Sequence, residues 1–340
     1  MLWFDLDNSP HVPLFRPILK ELSRRNISYF ITARDFAQTK ELLNYYNIEH
    51  TLIGTHAGKN KIKKLINIFI RSYELNSLIK SKNITLAVSH GSRSQLLLTK
   101  KLRVKSVLML DYEFTESKIF NLLSTYLLIP VFIPDTRLKQ LGFNLKKIIR
   151  YNGFKEEIYL RDFQVIPNFR KILGVDDDKV LIIIRPPSFV SNYHHRKSEL
   201  LYYEGLKYFS KIKDVVCLVV SRIEADKKFV KENFNNSLNI KILDKVVDGL
   251  QLLYAADIVL SGGGTMNREA ALLGTETYSY FASNRPYLDE YLNEIGRLNF
   301  INEPEDFKQI KIERKPKKEI LLNSKNLVND IVNILLEISN

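Results

Sequence analysis

Short apolar runs alternate along the chain with longer stretches in which apolar residues recur every three or four positions. The short runs predict buried strands, and the longer stretches predict amphipathic helices. In the first half, the predicted strands are residues 2–6, 28–31, 50–53, 85–89, 106–110 and 131–133. The predicted helices between them are residues 12–25, 36–46, 61–80 and 92–102. Such alternation is typical of a parallel sheet covered by helices.

The alternation stops at residues 151–168, which are polar and aromatic with little periodicity, and then it restarts. The predicted strands of the second half are residues 180–184, 215–220, 240–243, 257–261 and 277–281. Its predicted helices are residues 198–212, 225–233, 249–254, 266–273 and 287–295, and a long amphipathic helix is predicted at residues 317–338.

This pattern predicts an α/β fold with two Rossmann-like, doubly wound parallel-sheet domains that face each other across a cleft. We place the first domain at residues 1–155 and the second at residues 156–316, and we assign residues 317–340 to a helix that packs back on the first domain. Ligands of such folds bind at the carboxyl ends of the strands. Functional residues are therefore expected directly after strands.

The composition of the chain indicates the cellular compartment in which the protein works. The 340 residues include one cysteine, Cys217, which lies in an apolar run and is expected to be buried. A single cysteine forms no internal disulfide, which fits a reducing compartment. No secretory signal is recognisable, and the longest apolar stretch, residues 119–134, falls short of the roughly 20 residues of a spanning helix. We therefore expect a cytoplasmic protein.

The strongest chemical signal is Ser261-Gly-Gly-Gly-Thr265, which follows a predicted strand and opens a predicted helix. The residues Gly262, Gly263 and Gly264 allow positive φ angles and a close approach of a ligand to the backbone. The amides at the start of the helix then face the ligand with the positive end of the helix dipole. Glu269, one turn further on, is a candidate to bind a ribose diol. The alternative is a tight structural turn with a solvated Glu269.

Neither the spacing of the dinucleotide-binding fingerprint nor the lysine of a P-loop is present, so the turn indicates another phosphate-bearing ligand. Arg185 and Arg222 stand at or after the ends of strands in the second half, where a guanidinium can hold phosphate oxygens in a bidentate manner. Both also fit structural ion pairs. The histidines and the cysteine show no zinc-ligand spacing, and no metal site is expected.

Acidic residues and histidines follow three predicted strands of the first half. We assign catalytic roles to His11, Asp7, Asp111 and Glu113, and acceptor-side roles to Ser9, His90, Arg93 and Glu116. A carboxylate beside a histidine suits proton transfer or the recognition of sugar hydroxyls. The alternative for each residue is the capping of the helix that follows it.

Residues 261–275 and 5–17 closely resemble the DUF354 family, and residues 32–39, 111–115 and 185–187 also look like that family. The resemblance covers nearly the whole chain and implies a glycosyltransferase-B (GT-B) fold. More distantly, the chain is similar to UDP-N-acetylglucosamine 2-epimerases and to the lipid-linked N-acetylglucosaminyltransferase of peptidoglycan synthesis. In those relatives the glycine-rich turn contacts the diphosphate and the helix glutamate holds the ribose. The resemblance implies these roles for Gly263, Gly264, Thr265 and Glu269.

The sequence departs from the epimerases at one position that matters for the reaction. Their catalytic histidine, placed after the first strand of the second domain, is replaced by Arg185-Pro-Pro, and His194 and His195 lie further along. This departure counts against epimerisation.

We therefore predict a metal-independent glycosyltransferase without a cofactor, which moves a sugar from a nucleotide sugar to a saccharide or lipid-linked acceptor in surface-glycan biosynthesis. The resemblance makes a UDP-sugar the expected donor, although no residue identifies the base. Two alternatives stay open: a nucleotide-sugar 2-epimerase or hydrolase, and a non-catalytic protein that binds sugar nucleotides or glycans.

The net charge of +13 admits nucleic acid, an anionic membrane or an anionic small substrate as the partner. Nucleic acid is not expected, because no nucleic-acid-binding module is recognisable. Residues 59–82 combine basic residues (Lys59, Lys61, Lys63, Lys64, Arg71, Lys80 and Lys82) with apolar ones (Ile62, Leu65, Ile66, Ile68, Phe69 and Ile70). This segment suits peripheral contact with the inner face of the membrane; alternatively, it covers the sheet and has a basic outer face.

Overall fold

The computed structural model describes residues 1–36, 38–55, 61–187, 195–221, 223–245 and 247–340. The chain divides into two compact units: Met1–Arg161 together with Asn323–Asn340, and Asp162–Leu322. Within the described residues, each unit contains one parallel sheet, of seven strands in the first unit and six in the second. The predicted α/β fold with two Rossmann-like parallel-sheet domains is therefore confirmed.

The sheet of the first unit has the strand order β3-β2-β1-β4-β5-β6-β7. Its strands are β1 (Leu2–Leu6), β2 (Tyr29–Asp35), β3 (Thr51–Thr55), β4 (Leu86–Ser89), β5 (Lys105–Met109), β6 (Tyr126–Pro130) and β7 (Ile148–Tyr151). Its first seven helices are α1 (His11–Arg24), α2 (Thr39–Tyr45), α3 (Lys61–Ile79), α4 (Arg93–Leu102), α5 (Ser117–Leu123), α6 (Asp135–Gln140) and α7 (Glu157–Leu160). The strand order reverses between β1 and β4, which is where doubly wound folds bind ligands.

The sheet of the second unit has the strand order β10-β9-β8-β11-β12-β13. Its strands are β8 (Val180–Arg185), β9 (Val215–Val219), β10 (Ile240–Ile242), β11 (Ile258–Ser261), β12 (Glu276–Ser279) and β13 (Asn299–Phe300). Its helices are α8 (Phe169–Leu173), α9 (Arg196–Phe209), α10 (Glu224–Phe234), α11 (Gly249–Ala255), α12 (Thr265–Leu272) and α13 (Tyr287–Glu294). Here the order reverses between β8 and β11, directly before the glycine-rich turn.

The central strands β1, β9 and β11 are buried along their whole length. Helices cover both faces of a parallel sheet, so its inner strands are largely apolar rather than alternating. Cys217 lies in β9, and burial raises the pKa of its thiol. Among the described residues, no helix is long and apolar enough to cross a membrane.

The last helix of the chain, α14 (Leu327–Ser339), belongs to the first unit. Its buried residues Val328, Ile331 and Leu335 pack in the same core as Phe15 and Ile18 of α1. The division of the chain falls at Arg161/Asp162, later than the predicted residue 155, because α7 also packs in this core through Ile158.

Several elements differ between the prediction and the structure. The predicted strand at residues 131–133 is a turn, and the strand lies before it at β6. The strands β7 and β13 were not predicted, because each is short and only partly buried. The terminal helix begins at Leu327 rather than at residue 317, since the residues before it run without helical hydrogen bonds along the second unit, where the Leu321 N–H donates to the Leu272 carbonyl.

Candidate functional site

The glycine-rich turn connects β11 to α12 at the carboxyl edge of the second sheet. Ser261 is fully buried, and its hydroxyl donates to the side-chain oxygen of Asn267 over 2.7 Å. The same hydroxyl accepts a hydrogen bond of 3.3 Å from the Gly263 N–H. These two contacts hold the turn against the first turns of α12, so its shape is fixed before any ligand binds.

The glycines of the turn serve two different needs. A Cβ atom on Gly263 would lie 2.8 Å from Cδ2 of Phe281, and its φ of 95° belongs to the region that favours glycine. Gly264 has a φ of 91°, yet no described atom lies within 4 Å of the position of its Cβ. Packing therefore requires glycine at residue 263, whereas residue 264 leaves the backbone open to an approaching group.

The start of α12 is suited to bind an anion. At the start of α12, the Asn267 N–H donates a hydrogen bond of 3.2 Å to the Gly264 carbonyl. The amides of Thr265 and Met266 stand before Asn267 in the chain. Gly264 is the N-cap and has no side chain that could bond to these amides. N–H groups at a helix start, with the positive end of the helix dipole, favour phosphate oxygens.

Two further predicted residues lie at this edge of the second sheet. Glu269 follows Thr265 by four residues, so both are on one face of α12, and both are half-buried. Arg185 ends β8 directly beside Ser261 in the sheet register and is also half-buried. Arg222 and His194 lie outside the described residues. His195 accepts a hydrogen bond from the Lys197 N–H at the start of α9 and thus caps that helix.

The first unit contains a buried ion pair beneath its predicted site. Asp5 of β1 is fully buried and receives two hydrogen bonds of 2.7 Å from the Arg71 guanidinium. The hydroxyls of Thr32 and Ser92 also donate to Asp5. Burial raises the pKa of Asp5, the Arg71 guanidinium lowers it, and the net shift is downward. Asp5 is therefore an ionised structural anchor.

Asp7 is held by two arginines that the sequence analysis did not assign to the site. Its Oδ1 lies 3.0 Å from Nη1 of Arg71, and its Oδ2 lies 3.4 Å from Nη2 of Arg34. Helix α1 starts after Pro10 without a side-chain cap, so neither Asp7 nor Ser9 caps it. Burial raises the pKa of Asp7, the Arg71 guanidinium lowers it, the neighbouring carboxylate of Asp5 raises it, and the net shift is upward. Asp7 therefore stays a candidate to accept a proton.

His11 is buried, and its Nδ1 accepts a hydrogen bond of 3.1 Å from the Asp7 N–H. Burial lowers the pKa of His11 well below its usual value, and the nearby His90 and Lys155 add to this shift. A neutral imidazole with Nδ1 as acceptor carries its proton on Nε2. His11 therefore offers a hydrogen-bond donor at Nε2.

His90 and Asp111 form a pair beside His11. His90 Nε2 lies 2.9 Å from Oδ1 of Asp111, and Lys155 Nζ lies 2.7 Å from the other carboxylate oxygen. The rings of His11 and His90 are 5.1 Å apart between centroids. Because His90 donates from Nε2 to the carboxylate, its Nδ1 is the nitrogen that can accept a proton, as in other aspartate–histidine pairs.

Of the remaining predicted residues of the first unit, Glu113, Arg93 and Glu116 form ion pairs. Glu113 is buried with its Oε1 3.3 Å from Nε of Arg137. Arg93 and Glu116 are partly exposed and bond over 2.6 Å. Ser9 is half-buried, and its carbonyl accepts from the Val12 N–H in the first turn of α1. Among the described residues, no three His, Cys, Asp or Glu side chains are arranged to hold a metal ion.

The chain is similar to known proteins in sequence and in fold. The model of a family described as "Protein of unknown function (DUF354)" matches residues 1–339. An uncharacterised protein of Methanocaldococcus jannaschii is 29% identical over 317 residues, which cover 91% of this chain and 89% of that protein.

Among solved structures, the UDP-GlcNAc 2-epimerase of M. jannaschii in complex with UDP-GlcNAc and UDP is similar, with a TM-score of 0.76, 18% identity and 99% of both chains covered. The UDP-GlcNAc 2-epimerase of Neisseria meningitidis bound to UDP-GlcNAc has the same TM-score and coverage at 14% identity. A glycosyltransferase of Rickettsia africae has a TM-score of 0.62 at 16% identity, with 99% and 92% of the two chains covered. These likenesses establish the fold, which is of the GT-B type.

Proposed function

Because the chain belongs to the DUF354 family and has a GT-B-type fold, we propose that it is a glycosyltransferase that uses a nucleotide-sugar donor. The acceptor in this proposal is a saccharide or a lipid-linked carrier in surface-glycan biosynthesis. The observation that carries the proposal is the fixed glycine turn with open amides at the start of α12.

The second unit binds the donor in this proposal. The amides of Thr265 and Met266 donate hydrogen bonds to the diphosphate oxygens, and Arg185 adds a positive charge at the end of the neighbouring strand. Glu269, on the same helix face as Thr265, accepts hydrogen bonds from the ribose hydroxyls. A UDP-sugar is the donor we expect, and solved structures of the same fold contain UDP-GlcNAc or UDP.

The first unit supplies the groups for proton transfer. During transfer, the bond from the anomeric carbon to the diphosphate oxygen breaks, and a bond from that carbon to the acceptor oxygen forms. The acceptor hydroxyl gives its proton to His90 Nδ1, while Asp111 holds His90 and stabilises its charged form. The Nε2–H of His11 donates a hydrogen bond to a reacting oxygen.

We expect this transfer to proceed without a metal ion. The diphosphate that leaves carries more negative charge than it does in the donor, and the helix amides and Arg185 provide fixed positive charge at that position. Preorganised donors of this kind stabilise developing charge with little reorganisation. Addition of a chelator therefore leaves the rate unchanged.

The second candidate is a nucleotide-sugar 2-epimerase or hydrolase, favoured by the likeness to two UDP-GlcNAc 2-epimerases. The end of β8 is the place where the resemblance puts the epimerase histidine, and this chain has Arg185 there, followed by two prolines. An arginine stays protonated near neutral pH and does not exchange protons as histidine does. This difference favours transfer over epimerisation.

The experiment is a 31P and 1H NMR assay of the protein with UDP-GlcNAc and other nucleotide sugars, with and without a lipid and glycan extract. Transfer predicts release of the nucleoside diphosphate only when the extract is present. A new sugar nucleotide without extract indicates an epimerase, and free sugar without extract indicates a hydrolase. Unchanged donors under all conditions contradict the enzyme proposal and favour a binding protein.

A further inference from the structure

Helix α3 exposes a row of large apolar side chains, which we call the α3 apolar face. Its members are between 50% and 78% exposed: Ile62, Leu65, Ile66, Phe69, Ile70 and Tyr73. Their spacing of three and four residues places them on one side of the helix, within an arc of about 140°. A contiguous apolar surface of this kind is rare on a monomer and marks a site of interaction.

The α3 apolar face is not needed to attach α3 to the first unit. The helix packs through its other side, where Leu75 and Ile79 contact Trp3, Ala87 and Leu98 in a separate core cluster. Arg71 on that side is fully buried and bonds to Asp5 and to the Ile53 carbonyl. The helix therefore has two apolar sides, one packed in the core and one facing solvent.

The charges around the α3 apolar face favour an anionic occupant. In the sequence, Lys61, Lys63 and Lys64 stand among the first four residues of α3 and Lys59 precedes them outside the described residues, whereas Glu74 is the one acidic residue of α3. Two copies of this chain meeting through this face would bring these lysines together in a protein that already has a net charge of +13. Like charges oppose such a dimer, while anionic lipid headgroups attract each lysine.

We propose that the α3 apolar face docks the protein on an anionic lipid bilayer. In this position α3 lies in the plane of the membrane surface, with the six side chains of the α3 apolar face below the headgroups and the exposed Lys63 among them. The inference goes beyond the proposed transfer, because docking requires neither a donor nor an acceptor. It places the Asp5, Asp7 and Arg71 cluster about one helix diameter, roughly 10 Å, from the lipid surface.

The test is flotation of the full chain with vesicles of phosphatidylcholine alone or phosphatidylcholine mixed with phosphatidylglycerol. We expect binding to the mixed vesicles that weakens as salt is added, and little binding to phosphatidylcholine alone. Phe69→Glu lowers the fraction bound at least about tenfold, because it places a charge in the apolar layer. Tyr73→Glu, at a second exposed position, has the same direction of effect.

The matched control is Leu238→Glu, which replaces an apolar side chain that is 90% exposed on the second unit. This variant adds the same charge and binds the mixed vesicles as the wild type does. The proposal is overturned if phosphatidylglycerol does not increase the binding of the wild type to vesicles. It is also overturned if Leu238→Glu and Phe69→Glu lose binding to an equal degree. A wild-type dimer in sedimentation analysis that Phe69→Glu converts to a monomer also overturns it, because a second copy then covers the face.

Discussion

The backbone N–H of Asp7 donates to Nδ1 of His11 over 3.1 Å, and this bond selects one tautomer of a buried histidine. It ties the loop after β1 to the first residue of α1. His11 is consequently a donor at Nε2, and in our proposal the neighbouring His90, oriented by Asp111, accepts the proton. His11 and His90 therefore have opposite hydrogen-bonding roles in this proposal.

The first prediction concerns the pH dependence of stability. The pKa of His11 is lowered in the folded chain, whereas the unfolded chain takes up a proton near pH 6.5. Below that pH the unfolded state binds more protons than the folded state does, so the free energy of unfolding falls as the pH decreases. The variant His11→Gln has no titrating group at this position and loses less stability over the same range, as measured by urea unfolding at several pH values. Equal losses in the two proteins would contradict a neutral His11.

The second prediction separates His90 from an ordinary surface histidine. His90→Asn removes the proton acceptor, and Asp111→Asn removes the carboxylate that orients it, so each lowers kcat by about 10²–10⁴-fold. The KM for the donor changes little, because the donor binds at the second unit in our proposal. His50→Asn, at the start of β3, is the control and keeps the wild-type kcat. A large change in KM with an unchanged kcat would assign His90 to binding instead.

The third prediction concerns the buried pair of Asp5 and Arg71. Arg71→Met leaves the fully buried carboxylate of Asp5 without its cation, which costs about 3–5 kcal/mol of folding free energy. The control is Arg24→Met, which breaks the exposed pair of Arg24 and Glu21 and leaves the unfolding midpoint almost unchanged. Urea unfolding measures both. Similar midpoints for the two variants would show that the Asp5 pair is not an anchor.

The fourth prediction tests the shape of the glycine turn. Gly263→Ala brings a methyl group to 2.8 Å from Phe281 at a positive φ, which costs about 1–3 kcal/mol. Gly249→Ala is the control, because its Cβ meets no described atom within 4 Å and its φ is not in the left-handed region. Thermal unfolding compares the two variants. An equal stability would mean that the turn adapts to a side chain at residue 263.

The sequence predicts most of the fold because both sheets are parallel and buried. Continuous apolar runs such as β8 and β9 leave little doubt about a strand, and the helices between them show a three- and four-residue period. The short strands β7 and β13 lack this signal, since partly buried strands of few residues have no pattern that distinguishes them from loops. The hydrophobic pattern therefore predicts the fold class, whereas the short strands β7 and β13 at the sheet edges depend on tertiary packing.

The candidate site is less predictable than the fold, because the residues that contact its side chains come from distant segments of the chain. Asp7, His11, His90 and Asp111 stand after strands and could be found from their positions. Lys155 could not, since it lies in a segment without periodicity and meets Asp111 only in the folded chain. Arg71 did leave a signal: it shares a helical row with the buried Leu75 and Ile79, and a charge in such a row indicates a buried partner.

A donor site at the glycine turn is tested by calorimetry with UDP and other nucleoside diphosphates, using the wild type, Glu269→Gln and the exposed control Glu294→Gln. We expect a nucleoside diphosphate to bind the wild type and Glu294→Gln equally. Glu269→Gln binds it about tenfold or more weakly, because hydrogen bonds from the ribose to a charged carboxylate are replaced by weaker ones to a neutral amide. Wild-type affinity in Glu269→Gln, or no binding of any nucleoside diphosphate to the wild type, would contradict a donor site at the glycine turn.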